Sequence, residues 1–208
     1  MLLPVRARRA LLTAAAALSL VTLVPPVLAQ PAGAVRLRGI IETLGADKLV
    51  LRERGGERME LALAPNLVVT EAYPLAFSDI RPDTYVGAGA VPQADGTQRA
   101  IAVLVFPDAM RGTGEGHRPF DFLPQSTMTN ATVAGVAASP KGRQLRVTYP
   151  GGEKIIVVPP EAPVFSFRPG TRDLLAQGAQ VSLTAQTVDG KPTVTRIVGG
   201  RNGFAPPY

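Results

Sequence analysis

Apolar and polar residues alternate along much of this chain, in short runs that glycine-containing turns separate. From residue 49 to residue 61 the sequence reads LVLRERGGERMEL, with apolar side chains at alternate positions on both sides of a Gly-Gly pair. A period of two predicts half-buried β-strands, and two glycines can take the positive φ angles that a tight hairpin requires. Counting outward from this turn places Arg54 opposite Glu57 and Glu53 opposite Arg58, so opposite charges would face each other.

The same pattern occurs twice in the chain. VRLRGIIETLGADKLVLRERGGERMELAL begins at residue 35, and TVAGVAASPKGRQLRVTYPGGEKIIVVPP begins at residue 132. Gly39 then aligns with Gly135 and Leu49 with Leu145 at one constant offset, and after a short gap Val86 aligns with Val181. Asp-Gly pairs at 95–96 and 189–190 mark a second hairpin in each copy. The agreement of turns and apolar positions indicates an internal duplication.

Each copy contains about five short strands and one short helical turn, which is the content of a small barrel of the OB or SH3-like kind. We therefore predict an all-β protein of two tandem β-barrel repeats, the first at 35–107 and the second at 131–199. A barrel of this size is marginally stable alone, and packing of one copy against the other would stabilise both.

A glycine- and proline-rich segment, here called the strap (residues 108–130), connects the two copies. Its central sequence is MRGTGEGHRPFDFLPQSTMTN, in which the glycines favour turns and the prolines disfavour helix and sheet. Phe120, Phe122 and Leu123 are too apolar for a fully solvated linker. We expect them to hold the strap, in an ordered form, in the groove between the two copies.

The first 29 residues have the pattern of a secretory signal peptide. A basic start at Arg6, Arg8 and Arg9 precedes an apolar run, a Pro-Pro break and a small-residue exit, with cleavage expected between Ala29 and Gln30. Residues 30–34 and 200–208 would be the tails of the mature chain. No later run is long and apolar enough for a membrane span, so we expect a periplasmic protein that is soluble or peripherally attached.

Charge and cysteine content exclude several classes of protein. Three of the 22 basic residues and none of the 16 acidic ones lie in the leader, so the mature chain is only weakly basic. Its basic residues are scattered among acids, unlike the basic stripe of a nucleic-acid-binding protein, and no nucleic-acid partner is expected. Cysteine is absent. Disulfides, thiol catalysis and cysteine metal sites are therefore excluded.

The strap holds the residues with most chemical potential. His117 is the sole histidine, and with Met110 and Met128 it could bind copper or another transition metal, since thioethers favour cuprous copper. One histidine is few for a metal site, and no cofactor is predicted. Ser126, His117 and Asp121 lie in one segment, whereas a catalytic triad gathers groups from separate rigid elements.

The strap and the repeats together carry a resemblance. MRGTGEGHRPFDF followed by STMTNATV, between copies of a VxGxI…LxV…GGE…DG pattern, resembles an uncharacterised family of exported bacterial β-repeat proteins, grouped under a domain of unknown function. Some members carry an automatic label as metal-transporter permease components. The resemblance implies a β-repeat fold and export. A permease is not expected, because the mature sequence lacks apolar runs of membrane-spanning length.

These observations predict a periplasmic, non-enzymatic protein that acts by binding or in envelope assembly, with an unknown periplasmic protein or small ligand as its partner. The alternatives are a metal-handling accessory protein that uses His117 with Met110 or Met128, and a hydrolase of unrecognised type. The predicted binding site lies in the groove between the copies, where clefts commonly form. Its candidate residues all lie on the strap: Met110, Arg111, Glu115, His117, Arg118, Phe120 and Asp121.

Overall fold

A computed structural model describes residues 33–139 and 142–207 of the chain. The predicted signal peptide, residues 1–29, lies outside these residues. Twelve β-strands occur in the described part. They are β1 (Val35–Leu44), β2 (Lys48–Glu53), β3 (Arg58–Leu75), β4 (Tyr85–Pro92), β5 (Gln98–Val105), β6 (Gly116–Pro119), β7 (Thr127–Ser139), β8 (Gly142–Tyr149), β9 (Gly152–Val158), β10 (Val164–Pro169), β11 (Gln180–Val188) and β12 (Lys191–Gly200).

Five of these strands close into a ring that we call barrel A. β1 pairs antiparallel with β2 and with β11, β2 pairs with β3, and β11 pairs with β12. A parallel pairing of β12 with β3 closes the ring. The alternating apolar residues predicted from sequence point inward, because Ile41, Leu49, Leu51 and Leu61 are all at most 1% exposed.

A second ring, barrel B, repeats the same pattern of pairings. β7 pairs antiparallel with β8 and β4, β8 with β9, and β4 with β5. Here a short parallel pairing of β5 with β9 closes the ring. The order is β1-β2-β3-β12-β11 in barrel A and β7-β8-β9-β5-β4 in barrel B, and each ring has one parallel pairing.

Each of the two predicted copies contributes strands to both barrels. Barrel A contains β1–β3 from the first copy and β11 and β12 from the second, while barrel B contains β7–β9 from the second copy and β4 and β5 from the first. The all-β class and the small five-stranded barrel are confirmed. The arrangement of one barrel per copy, at 35–107 and 131–199, is corrected: each copy sends its last two strands into the other barrel.

The chain passes from one barrel to the other at β3 and at β10. The end of β3 pairs antiparallel with β10, from Leu75 opposite Val164 to Thr70 opposite Pro169. A 3-10 turn follows each of these strands, at Phe77–Asp79 and at Arg172–Leu174, which gives each predicted copy one short helical turn. From Gly33 onward the chain is one compact unit. Neither copy can therefore separate from the other without opening both barrels.

Three apolar clusters follow from this topology. One fills barrel A and one fills barrel B. The third cluster lies on strands of both barrels and includes Ala72 of β3, Tyr85 of β4, Leu104 of β5 and Phe165 of β10. Phe165 is fully buried. The third cluster therefore ties barrel A to barrel B through side-chain packing as well as through the chain.

The hairpin at Gly55-Gly56 has a different register from the predicted one. Arg52 lies opposite Arg58, so the predicted pairs Arg54–Glu57 and Glu53–Arg58 do not form. Glu42 on β1 pairs with both Arg52 and Arg58, at 2.7 Å from the Arg58 Nε. Hydrogen bonds from Arg58 and then Arg52 hold the pKa of Glu42 below its usual value. One carboxylate thus offsets the like charges that the shifted register brings together.

Among the described residues there is no helix with the length and apolar character needed to span a membrane.

Candidate functional site

The strap follows a defined path across the molecule. A 3-10 turn at Asp108–Met110 begins it, and β6 then pairs antiparallel with β7. Met110 packs against the cluster that joins the barrels. Arg111 donates a hydrogen bond of 2.5 Å to the carbonyl oxygen of Asp83 and also lies 3.6 Å from its carboxylate. These contacts fasten the beginning of the strap to the loop before β4.

His117 sits on barrel B. Its Nδ1 lies 2.8 Å from the hydroxyl of the fully buried Thr129, and its ring stacks on Tyr149 with centroids 6.4 Å apart. Burial, together with the charge of Lys154, lowers the pKa of His117 from its ordinary value of 6.5. The lowered pKa favours the neutral imidazole, and the contact with Thr129 joins β6 to β7.

The register of β6 separates the three predicted metal ligands. His117 lies opposite Thr129 and Arg118 lies opposite Met128. Since successive side chains of a strand point to opposite faces, His117 and Met128 lie on opposite faces of this pair of strands. Met110 packs between the barrels. No group of three or more His, Cys, Asp or Glu side chains in the described part is arranged to hold a metal ion.

Glu115 and Arg118 lie on the exposed side of the strap. Burial raises the pKa of Tyr85, and the nearby charge of Glu115 adds to that effect. Arg118 donates a 2.6 Å hydrogen bond to the carbonyl oxygen of Gly114, which closes the turn before β6. Arg118 therefore has a partner within the strap, and the charge of Glu115 acts on the neighbouring Tyr85.

Ser126 is a structural residue of the strap. Its hydroxyl accepts a 3.0 Å hydrogen bond from the Leu123 amide and lies 2.8 Å from the carbonyl oxygens of Leu123 and Phe120. Ser126 as a whole residue is 2% exposed. These backbone contacts close the loop at the tip of the strap, so the oxygen is held in the loop and not presented in a cleft.

The tip of the strap reaches barrel A. Arg38 on β1 donates a 3.1 Å hydrogen bond to the Asp121 carboxylate, and its guanidinium lies 5.8 Å from the Phe120 ring centroid and 5.5 Å from that of Phe122. Arg54, which follows β2, lies 4.6 Å from the Phe122 centroid. Phe120 and Phe122 thus contact the folded body through arginines of barrel A. Leu123 remains 44% exposed.

An open cavity of about 330 Å³ lies beside this contact, and we call it the strap groove. Its floor is the outer face of β1, β2 and β11, and its walls are Phe122 of the strap and the C-terminal Pro206 and Pro207. The residues lining it are Arg38, Gly39, Ile40, Arg52, Glu53, Arg54, Gly56, Phe122, Gln180, Val181, Ser182, Pro206 and Pro207.

The strap groove differs from the site predicted from sequence. Of the predicted residues, Phe120 and Asp121 contact Arg38, which lines the groove. The others lie near barrel B and do not line it: Met110, Arg111, Glu115, His117 and Arg118. Sequence reasoning missed Arg38, Arg52 and Arg54. Their spacing carries a signal, because arginines two residues apart on a predicted strand share its polar face.

A second cavity of about 490 Å³ lies beside β3, β10 and the C-terminal turn. The buried Glu71 pairs there with Arg168 at 2.5 Å and with Arg201 at 3.7 Å, and Arg201 also pairs with Asp173. The hydrogen bond from Arg168 keeps the pKa of Glu71 low. Because these charges satisfy one another, this cavity offers a ligand less than the strap groove does.

No model of a known protein family matches the chain, and no curated protein or solved structure matches it, so the resemblance to exported β-repeat proteins stays a prediction.

Proposed function

We propose that this protein is an exported, non-enzymatic binding protein, acting in ligand capture or envelope assembly, that holds its partner in the strap groove. Export rests on the leader predicted at residues 1–29. The observation that carries the binding proposal is the meeting of three arginines with apolar and amide side chains in one open groove. Binding sites of this kind combine an apolar lining with a few polar groups that set the orientation of the ligand.

The composition of the groove supports binding. Ile40 is 41% exposed on its floor, beside Gln180, which lies opposite it on β11. Phe122 and the two prolines add further apolar surface. An apolar patch that polar groups surround is typical of a binding surface, whereas an isolated exposed apolar residue is not informative.

The position of the groove also supports a specific role. It is built from the β1–β2 hairpin, the strap, β11 and the C-terminal residues, which are distant from one another in sequence. The aromatic and ionic contacts of Arg38 hold the strap against barrel A. A groove whose walls are fixed in this way needs little ordering when a partner binds, which favours affinity.

Capture from envelope extract tests the proposal. The baits are the immobilised mature chain, a groove variant with Arg54→Glu and Phe122→Ala, and a matched control with Arg143→Glu and Phe77→Ala. Arg143 lies 4.3 Å from the Phe77 ring centroid on barrel B, so the control removes the same kind of contact outside the groove. Proteins and small molecules eluted from each bait are identified by mass spectrometry.

The proposal predicts a partner that the wild type and the control retain and the groove variant loses. Equal capture by all three baits, or capture by none, contradicts it.

A further inference from the structure

The charges around the strap groove are unevenly compensated. Asp121 pairs with Arg38, and Glu42 pairs with Arg52. No carboxylate in the described part of the chain lies within ion-pair distance of Arg54. Glu53 is the one acid that lines the groove, and it accepts a hydrogen bond from the Gly55 amide. The lining itself holds three arginines and one glutamate, and Arg54 has no ion-pair partner among the described residues.

Aromatic rings fix the guanidinium groups of the groove. The Phe122 ring lies within 5.5 Å of the Arg38 guanidinium carbon and within 4.6 Å of that of Arg54. A guanidinium that rests on a ring keeps its N–H groups, which lie in its own plane, free to donate hydrogen bonds. Planar pairs of N–H donors suit carboxylate and phosphate oxygens.

One donor of this group has no acceptor. Arg38 Nε is buried, and it has no hydrogen-bond partner among the described residues. An unsatisfied buried donor costs about 1–3 kcal/mol, more when it is charged. The Arg38 side chain is 17% exposed, so part of the guanidinium group is open to the groove.

The backbone of the groove floor excludes an added strand. β1 pairs with β2 on one edge and with β11 on the other along the residues that line the groove. An extended peptide therefore finds no free backbone edge there and cannot bind by strand addition. Recognition must come from side chains, and a volume of about 330 Å³ is at the small end of ligand cavities.

We infer that the ligand of the strap groove is a small anionic molecule whose carboxylate or phosphate group binds to Arg38 and Arg54. This inference rests on the proposed function and names the chemistry of its ligand. Arg54 supplies the uncompensated charge, and Arg38 supplies the donor without an acceptor. Ile40 and Phe122 contact the apolar part of the ligand, while Gln180 and Ser182 are placed to bind its neutral polar groups.

Side-chain NMR of the mature chain tests the inference with simple anions as probes. The arginine Nε–H signals are followed while sodium acetate, sodium phosphate or sodium chloride is added at matched ionic strength. Acetate represents a carboxylate, phosphate represents a phosphoryl group, and chloride controls for screening. The variants Arg54→Ala and Arg143→Ala are compared with the wild type.

The expected result is a saturable shift of the Arg38 and Arg54 signals with acetate, phosphate or both, and none with chloride. Arg54→Ala should weaken binding about tenfold, as expected for the loss of a charge-assisted hydrogen bond, while Arg143→Ala changes it less than about twofold. Which anion saturates the site identifies the charged group.

The inference is overturned if neither anion gives a saturable shift, or if Arg143→Ala weakens binding as much as Arg54→Ala. The two proposals can fail separately. Groove-dependent capture without anion binding leaves the binding function standing and removes the anionic ligand. Anion binding without groove-dependent capture leaves the anion site standing and removes the proposed capture of a partner.

Discussion

Arg38 of β1 donates a hydrogen bond of 3.1 Å to Asp121, so a strand of barrel A is joined directly to the tip of the strap. Phe120 and Phe122 flank Asp121 in sequence, and both rings lie within 6 Å of the same guanidinium. The strap pairs with barrel B through β6, and its tip at Asp121 reaches barrel A. The strap thus connects the outer surfaces of two barrels that each contain strands from both predicted copies.

Removing the Phe122 ring should loosen the tip of the strap. Phe122→Ala deletes the ring that Arg38 and Arg54 both face, and each such contact is worth about 0.5–1 kcal/mol at an exposed site. We expect a loss of about 1–2 kcal/mol in the free energy of unfolding, measured by urea titration, with faster amide exchange at residues 120–126. The neighbouring Leu123→Ala is the control, because Leu123 is 44% exposed. A loss of equal size in Leu123→Ala contradicts the assigned role.

The aligned glycines Gly39 and Gly135 should respond differently to alanine. A Cβ on Gly39 would lie 2.2 Å from the carbonyl oxygen of Arg52, whereas a Cβ on Gly135 would meet nothing within 4 Å. We expect Gly39→Ala to cost about 1–3 kcal/mol, since backbone must move to relieve the overlap. Gly135→Ala should stay within about 0.5 kcal/mol of the wild type. Thermal unfolding of both variants measures these losses of stability. Equal losses would contradict the close approach of β1 and β2 at Gly39.

The pKa of His117 makes stability depend on pH. Burial lowers it in the native state, so the unfolded chain takes up this proton at about pH 6.5 and the native chain only at a lower pH. Stability should therefore be unaffected by this group above pH 6.5 and should fall as the pH drops from 6.5 to the native pKa. Because the chain has one histidine, its imidazole signal can be titrated by NMR without ambiguity. A midpoint at or above 6.5 would contradict the burial of the ring. His117→Gln should remove this part of the pH dependence.

Strand exchange predicts that the two barrels unfold together. Leu49 in barrel A and Leu145 in barrel B are aligned positions, and both are at most 1% exposed. Replacing either with alanine should cost about 2–5 kcal/mol. Calorimetry of both variants should show one transition, shifted to lower temperature by a similar amount. Two separated transitions, of which each variant shifts one, would indicate independent barrels.

The local structure was predictable because it depends on neighbours in sequence. Alternation around Leu49 and Leu51 fixes which side chains point inward, and the Gly55-Gly56 and Asp-Gly pairs fix the turns. The hairpin at Gly55-Gly56 shows the limit of this reasoning. A shift of one residue in the turn changes which charged residues lie opposite each other. Glu42 on β1 stabilises the observed register by pairing with arginines of both strands.

The exchange of strands was not predictable from the pattern. β4 and β11 occupy aligned positions of the two predicted copies, Val86 with Val181, so the pattern does not specify which of them lies beside β1. The choice depends on the paths of the chain after β3 and β10, which no residue pattern specifies. The strap groove depends on that choice, because Gln180 and Ser182 reach its floor only when β11 lies beside β1.

Disulfide trapping tests the strand exchange most directly. The natural chain has no cysteine, so introduced pairs report without interference. Arg36 lies opposite Thr184 in the pairing of β1 with β11, at a separation that a disulfide spans. Gly89 is the residue of the first copy that aligns with Thr184, and it would face Arg36 if each copy closed its own barrel. Both pairs are built in the full chain, oxidised, and analysed by non-reducing electrophoresis and peptide mapping. We predict that Arg36→Cys with Thr184→Cys forms an intramolecular disulfide in nearly all molecules and that Arg36→Cys with Gly89→Cys does not. Efficient cross-linking of 36 to 89 without cross-linking of 36 to 184 would contradict the exchanged barrels and the groove built on them.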